Sequence, residues 1–298
     1  MKYSHVEEIG SGDFPTIGIL GLCHGDEIVG KLVLDYLKND LPSKIINGRV
    51  KLIYANLPAE KANKRYIDVD LNRSFPGKID GLLEERIAYE LRPVISSCSY
   101  LLDIHSTSEW DEPFVVSTIG QTTDKTREIY AGTDIDVRTR VEVDHMYIDQ
   151  LAQHTGLNLH VVMDSTVASG GSLIEYVNAH GRGYAISFES GQHKDPNALS
   201  TALGAIYNVL KIHKFIDGEP NRINRQECFL GGEFIDLPVV PSAFIPSNLK
   251  NFELLPAGTP YGRDLTGKEY SLNQDCYVIL FSKKLTNNKV FLRANKIL

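Results

Sequence analysis

Apolar and polar positions fall in blocks along the chain, and the period of each block predicts its element. Residues 15–22, PTIGILGL, form a short unbroken apolar run, the pattern of a buried strand. The segment 26–40, DEIVGKLVLDYLKND, follows at once. Its Ile28, Leu32 and Tyr36, with Val29, Val33 and Leu37, recur at helical spacing, and Asp26 suits the helix N-terminus. The same reading predicts strands over 51–57 and 100–106 with a helix around 80–96 between them. TTDKTREIY starts a further helix, and HMYIDQLAQHTG gives another that ends at Gly156. LNLHVVMDS then reads as a strand, SLIEYVNAHG as a helix, 183–191 as a strand and 196–215 as a helix with Pro196 near its first turn. Strands alternating with helices imply an α/β domain, its parallel or mixed sheet covered by helices on both faces.

After about residue 216 the texture changes. EFIDLPVV, FELLPAGTPYG and DCYVILFSKK are short, β-rich and broken by Pro, Gly and Asn, with no long helical period. The expected organisation is a main domain over 1–216 followed by a small β-rich domain over 217–298.

Composition narrows the classes. The 298 residues, 42% of them hydrophobic, suffice for one large domain plus a small one. A net charge of −7 argues against nucleic acid as a partner and leaves room for a local basic pocket for a small anion. No run of 18 apolar residues predicts a membrane span, and the polar, acidic start lacks the apolar stretch of a signal peptide. The four cysteines, Cys23, Cys98, Cys228 and Cys276, are scattered without a CxxC pair and read as reduced thiols. The expectation is a cytoplasmic protein; a homo-oligomer is compatible with it.

Three short segments carry candidate chemistry. His24-Gly25-Asp26-Glu27 lies where a strand and a Gly-containing turn feed a helix, and side chains three apart there share a face. His105 ends the strand LLDIHS, and strand ends in α/β sheets open onto the ligand crevice. Two imidazoles and one carboxylate are a set used for catalytic zinc with a position left open for water; calcium and magnesium prefer oxygen shells. A lone HxxE is common by chance and a lone His is more often a core residue, so the weight lies in the combination. Asp103, two residues before His105, could orient it. In RYIDVDLNRSFPG (65–77), Arg73 could hold a carboxylate in a two-pronged geometry, Asn72 could donate beside it, and Arg65 could stabilise an oxyanion. The bland alternative is a surface turn in which Asp68 and Asp70 cap backbone groups. Glu189, in Phe188-Glu189-Ser190-Gly191, ends another apolar strand; a glutamate there can act as base and then acid, or simply pair with an arginine. Cys23, beside His24, reads as a small core residue rather than a nucleophile.

Taken together, GLCHGDE, RYIDVDLNRSFPG, LLDIHSTS and ISFESG resemble the succinylglutamate desuccinylase/aspartoacylase family within the zinc carboxypeptidase clan. Their order matches, over about residues 15–215, and the gap from Glu27 to His105 is shorter than in peptide-cleaving carboxypeptidases. The resemblance implies a mixed-sheet, zinc-carboxypeptidase-like hydrolase domain with a smaller β domain that can overhang the site. It matches His24, Glu27 and His105 to the ligands of one Zn2+ per chain, Glu189 to the general acid/base and Arg65 to the carbonyl-polarising arginine. Asn72 and Arg73 match the substrate-carboxylate pair. The family's second substrate-binding arginine, ten residues before the catalytic glutamate, is replaced by Ala179; Arg182 is the nearest arginine, and Tyr261 and Tyr277 are candidates for a C-terminal substrate tyrosine. The function implied is a cytoplasmic zinc-dependent deacylase acting on a small anionic N-acyl amino acid. A metallo-carboxypeptidase and a non-catalytic small-molecule binding protein on the same fold are the alternatives.

Overall fold

The unbroken apolar run at the start of the chain lies deep within the sheet. The computed structural model describes residues 3–12, 15–109, 112–118, 143–163, 171–180, 183–223, 226–237, 249–264, 266–281 and 289–297. Strand β2 (Thr16–Gly21) is buried along its whole length and lies between β3 (Arg49–Tyr54) and β4 (Tyr100–Thr107), parallel to both. β4 pairs in parallel with β7 (Tyr184–Gln192). β1 (His5–Gly10) closes one edge antiparallel to β3. Beyond β7 the direction reverses: β5 (Phe114–Thr118) is antiparallel to β7, and β6 (Leu159–Met163) and β8 (Glu227–Asp236) run parallel to β5. β13 (Lys289–Lys296), β12 (Cys276–Ile279) and β9 (Leu254–Leu255) continue the same sheet, and β10 (Pro260–Arg263) pairs separately with β11 (Glu269–Ser271). The eleven-stranded order is β1-β3-β2-β4-β7-β5-β6-β8-β13-β12-β9, a mixed sheet as expected.

Strand alternation divides the core into two layers. Ile19, Leu52, Leu102, Ile104 and Ile186 face one side, under α1 (Ile28–Asp40), the helix Val143–His154 and the helix Ala198–Ile212. Leu20, Ile53, Leu101 and Ala185 face the other, under α3 (Leu83–Ser96) and the helix Leu173–His180. In chain order, with α2 (Leu57–Ala62), these helices are α1 to α6, so that Val143–His154 is α4, Leu173–His180 is α5 and Ala198–Ile212 is α6. Helices therefore cover both faces, as the alternation of elements predicted. The C-terminal strands have a core of their own around Ile235, Leu255, Val278 and Phe291, and share a second cluster with Phe114, Leu159 and Val161. No helix among the described residues is long and apolar enough to cross a membrane.

Several local expectations shift. β1, HVEEIG, has no apolar period because it is a half-exposed edge strand, and β5 and α2 are too short for a period to register. α1 buries Val29, Val33, Leu34 and Leu37, while Ile28, Leu32 and Tyr36 stay exposed, so its apolar spacing covers two faces and only one is core. The N-cap of α1 is Glu27, not Asp26, and it makes no side-chain cap because its carboxylate is turned inward. The helix expected at TTDKTREIY lies outside the described residues.

The segment 65–73 has little regular structure, yet it is held firmly from below. Glu84, fully buried near the start of α3, accepts backbone N–H groups from Ile67 (2.7 Å), Asp68 (3.0 Å) and Val69 (3.1 Å), and the side-chain amide of Asn56 (3.2 Å). One carboxylate thus satisfies three consecutive donors that no strand or helix partners. Each partly buried donor left unmade costs about 1 kcal/mol. Glu84→Ala should therefore lower the unfolding free energy by at least about 3 kcal/mol in urea denaturation. Glu85→Ala, which loses a cap on Leu82 N and an exposed ion pair with Lys78, should cost about 1 kcal/mol. Equal losses from the two variants would contradict this role for Glu84.

Candidate active site

The HGDE turn is fixed by close backbone approach. β2 ends at Gly21, and Leu22, bulky and fully buried, adopts a left-handed conformation (φ 63°) while its carbonyl accepts the Asn56 N–H at 3.0 Å. Such a conformation persists only where the surroundings impose it, and here it redirects the chain from the strand into the site. A Cβ on Gly25 would lie 2.2 Å from the Ala59 carbonyl carbon, so only glycine lets the turn sit against α2. The Gly25 N–H donates to the Arg65 carbonyl at 3.1 Å, tying the turn to the 65–73 segment.

The turn and the end of β4 bring three buried side chains together. His24 Nδ1 is 2.7 Å from Glu27 Oε1, and His105 Nδ1 is 2.9 Å from Glu27 Oε2. The Ser106 N–H donates to Glu27 Oε2 at 3.0 Å. The far ring nitrogens face carboxylates: His24 Nε2 is 3.1 Å from Asp70 Oδ1, and His105 Nε2 is 2.8 Å from Asp103 Oδ2. A carboxylate on Nε2 fixes the ring and turns Nδ1 to the common centre, the arrangement found behind metal-ligating histidines. One ligand atom from each of His24, Glu27 and His105 lies within 4.8 Å of the others, close enough to share one ion. If both Nε2 atoms carry the ring proton, two Nδ1 lone pairs confront two carboxylate oxygens. Only a second proton on each ring, or a cation among them, resolves that contact.

The charges point the same way. Burial alone would push Glu27 up, but His24 and His105 outweigh it and hold its carboxyl well below the usual range. Burial likewise opposes the charged form of His105, yet Asp103 and Glu27 hold its imidazole well above the ordinary value; for His24, Glu27 and Asp70 outweigh burial and raise it. The site is organised for positive charge, and its donors fit zinc. Cys23, Asp103 and His105 also lie within 4.8 Å of one another. Burial pushes the Cys23 thiol well above its normal pKa, so it stays protonated, a poor ligand and a poor nucleophile, and Asp103 is engaged with His105 Nε2.

Glu189 stands beside this cluster. It is the register partner of His105 across β4 and β7, and alternation puts Asp103, His105, Ser187 and Glu189 on one face. Ser187 Oγ donates to Asp103 Oδ2 at 3.4 Å, and Ser190 Oγ donates to the His105 carbonyl at 2.9 Å. His24, Glu27, Arg65, Asn72, Arg73, His105 and Glu189 border one cavity of about 340 Å³.

The 65–73 segment supplies the polar wall. The Arg65 guanidinium donates from Nε and Nη2 to Asp70 Oδ2 at 3.3 and 3.2 Å and from Nη1 to Glu27 Oε1 at 3.3 Å. Asn72 Oδ1 accepts the Leu173 N–H at 3.0 Å, which leaves Nδ2 as the amide's donor end. Arg73 is exposed and donates from Nη1 to the Asn72 carbonyl at 2.6 Å. Asp68 caps α3 through Leu83 N–H at 3.0 Å, while Asp70 both caps Asn72 N–H at 2.8 Å and holds His24 and Arg65. Capping and site-building thus coincide at Asp70.

The sequence offers no signal for Glu84, Ser106 or His193, and it offers Asp70 only as a backbone cap. His193 lines the cavity with Nδ1 2.8 Å from Ser106 Oγ. An acidic residue inside RYIDVD was visible, but its pairing with His24, 46 positions away, follows only from the fold. Arg182 lies outside the described residues. Tyr261 is buried in the C-terminal core with its hydroxyl on the Asp236 carbonyl, and Tyr277 meets Phe229 edge-on; neither is among the described residues that border the cavity.

Residues 13–131 match the succinylglutamate desuccinylase/aspartoacylase catalytic domain. An N-alpha-acetyl-L-2,4-diaminobutyric acid deacetylase from Halomonas elongata is 39% identical over 100 residues, 32% of this chain; the match spans only 29% of that relative's own length. A succinylglutamate desuccinylase/aspartoacylase from Rhodobacter sphaeroides superposes with a TM-score of 0.75 at 19% identity, covering 98% of this chain and 89% of that one. The ectoine utilization protein EutE (DoeB) from Ruegeria pomeroyi superposes with a TM-score of 0.74 at 19% identity, covering 98% and 88%. At these identities the solved structures establish the shared fold.

Proposed function

We propose that the chain is a zinc-dependent hydrolase of the succinylglutamate desuccinylase/aspartoacylase type that cleaves the amide bond of a small N-acyl amino acid, a reading supported by the catalytic-domain match over residues 13–131, the deacetylase relative and the shared fold. The observation that carries the reading is the single cavity bordered by His24, Glu27 and His105, by Glu189, and by Arg65, Asn72 and Arg73. Metal-directed ligands, a proton carrier and anion donors are the parts that hydrolysis of an anionic amide needs.

His24 and His105 through Nδ1, and Glu27 through its carboxylate, would hold the zinc, with Asp70 and Asp103 orienting the rings. When bound, the metal supplies Lewis acidity that polarises a carbonyl and lowers the pKa of a water. Glu189 takes a proton from the attacking water and passes it to the leaving nitrogen. The Arg65 guanidinium, braced by Asp70 and Glu27, offers its remaining N–H groups to the developing oxyanion. Asn72 Nδ2 and the Arg73 guanidinium hold the substrate's carboxylate. Phe234, Leu280 and Phe281, from the C-terminal part of the chain, wall the same cavity and favour a small substrate over an extended peptide. That observation weighs against the carboxypeptidase alternative, and the presence of all three ligand candidates with Glu189 weighs against a non-catalytic binding protein.

Glu189→Gln keeps the size of the side chain and removes the base. kcat should fall by about 10²–10⁴ while zinc content, measured by metal analysis, stays intact. Near-normal turnover would make another group the base, and loss of zinc would make Glu189 a ligand. Arg73→Lys replaces a planar fork by a point charge and should raise KM several-fold for carboxylate substrates, and far less for an amide analogue lacking the carboxylate. Equal losses on both compounds would give Arg73 a structural role instead.

A further inference from the structure

We propose that the end of this cavity remote from the metal-directed side chains is a binding site for an extended, uncharged aliphatic acyl group, longer than acetyl and not dicarboxylic. The inference rests on the reading of the chain as an N-acyl amino acid hydrolase and names the acyl class that this site takes.

The sheet register lays the cavity out. Glu189 faces Phe114 across β7 and β5, and Val116, two residues on, faces Ser187. Thr118, two further, is the partner of Met163 in β6. Val116, Thr118, Met163, Ser187 and Glu189 all border the cavity. Four residues along at about 3.3 Å each and two strands across at about 4.8 Å put Met163 on the order of 15 Å from Glu189. The cavity thus runs down the sheet face, well past any position an acetyl methyl could reach.

Beyond Glu189 much of its lining is apolar: Val116, Met163, Phe234, Leu280 and Phe281 border it from four separate segments. Leu280 holds a left-handed backbone (φ 52°), and the Phe281 N–H beside it donates to Asn251 Oδ1 at 2.8 Å, so this part of the wall is held in place rather than incidental. The two hydroxyls on the same face are engaged within the protein: Ser187 with Asp103, and Thr118 as acceptor of the Asn178 amide at 3.4 Å. The cavity's arginines, among the described residues, both belong to the other end. Arg65 is tied to Asp70 and Glu27, and Arg73 lies against Asn72. A carboxylate on the far end of a succinyl-type group would meet these apolar side chains. An unpaired charge buried in such surroundings is strongly disfavoured, and an alkyl chain is favoured.

The orientation follows from the proposed carboxylate clamp. Asn72 and Arg73 sit at the start of α5, where Asn72 receives the Leu173 N–H. With the amino-acid half held there, the acyl half extends away from the clamp, along the line from Val116 to Met163.

A panel of N-acyl derivatives of one amino acid tests the proposal on the zinc-replete full chain: acetyl, butyryl, hexanoyl and succinyl, with a second arm of N-acetyl amino acids of increasing side-chain length. kcat/KM should rise about three- to four-fold per added methylene in the acyl arm, the worth of burying a CH2 group. Butyryl should exceed succinyl, which has the same number of carbons, by at least about tenfold. Met163→Glu should lower hexanoyl use by about tenfold or more and change acetyl use little. Should that variant fail to fold, as judged by circular dichroism, the wild-type panel decides. A flat acyl arm, succinyl equal to or better than butyryl, or a rise confined to the side-chain arm would overturn the acyl assignment while leaving amide hydrolysis in place. Absence of hydrolysis across the whole panel would instead overturn the proposed function, and this inference with it.

Discussion

The Glu27 carboxylate is the constraint on which the site depends. It is almost fully buried, and both its oxygens are committed, one to His24 and the other to His105 and the Ser106 N–H. A buried charge of this kind is costly unless positive charge compensates it. That requirement draws in the rest: the imidazoles approach Glu27 through Nδ1, and Asp70 and Asp103 hold their far nitrogens. Arg65 bridges Glu27 and Asp70, so the 65–73 segment is bound to the cluster by charge. A dication among these groups would offset the charges of Glu27, Asp70, Asp103 and Arg65, as two protonated imidazoles would without it; the convergence of two Nδ1 atoms and a carboxylate on one point is what fits a metal.

Around that cluster, each element does one job. β2 delivers His24 and Glu27 through a left-handed residue and a glycine turn. β4 delivers His105, and its parallel neighbour β7 sets Glu189 at the same level. Glu84 lies beneath the arginine-bearing segment and supplies the hydrogen bonds that regular structure would otherwise provide. The reversal of strand direction at β5 matters as much: it turns the sheet face beyond Glu189 into the floor of the cavity, which the C-terminal strands then wall.

The sequence carried the metal-directed residues because their signals are local. His24 and Glu27 share a turn, His105 and Glu189 end apolar strands, and Asp103 lies one alternation from His105. Alternating strands and helices carried the fold class in the same way. What could not be read was whatever depends on pairing at a distance. Asp70 looks like a turn cap until the fold brings His24 to it, and Glu84 looks like a surface residue in the first turn of a helix. Phe234, Leu280 and Phe281 belong to segments whose pattern announces strands but not the cavity they border. The edge strand β1 and the exposed stripe of α1 mark the opposite failure, where a period is missing or present without the burial it usually implies.

The most direct test of the metal centre is anomalous diffraction at the zinc edge from crystals of the full chain grown with zinc. The account predicts one strong peak per chain, about 2.0–2.1 Å from Nδ1 of both His24 and His105 and within bonding distance of the Glu27 carboxylate. No peak at that position, a peak bonded through Nε2, or one placed among Cys23, Asp103 and His105 would contradict it.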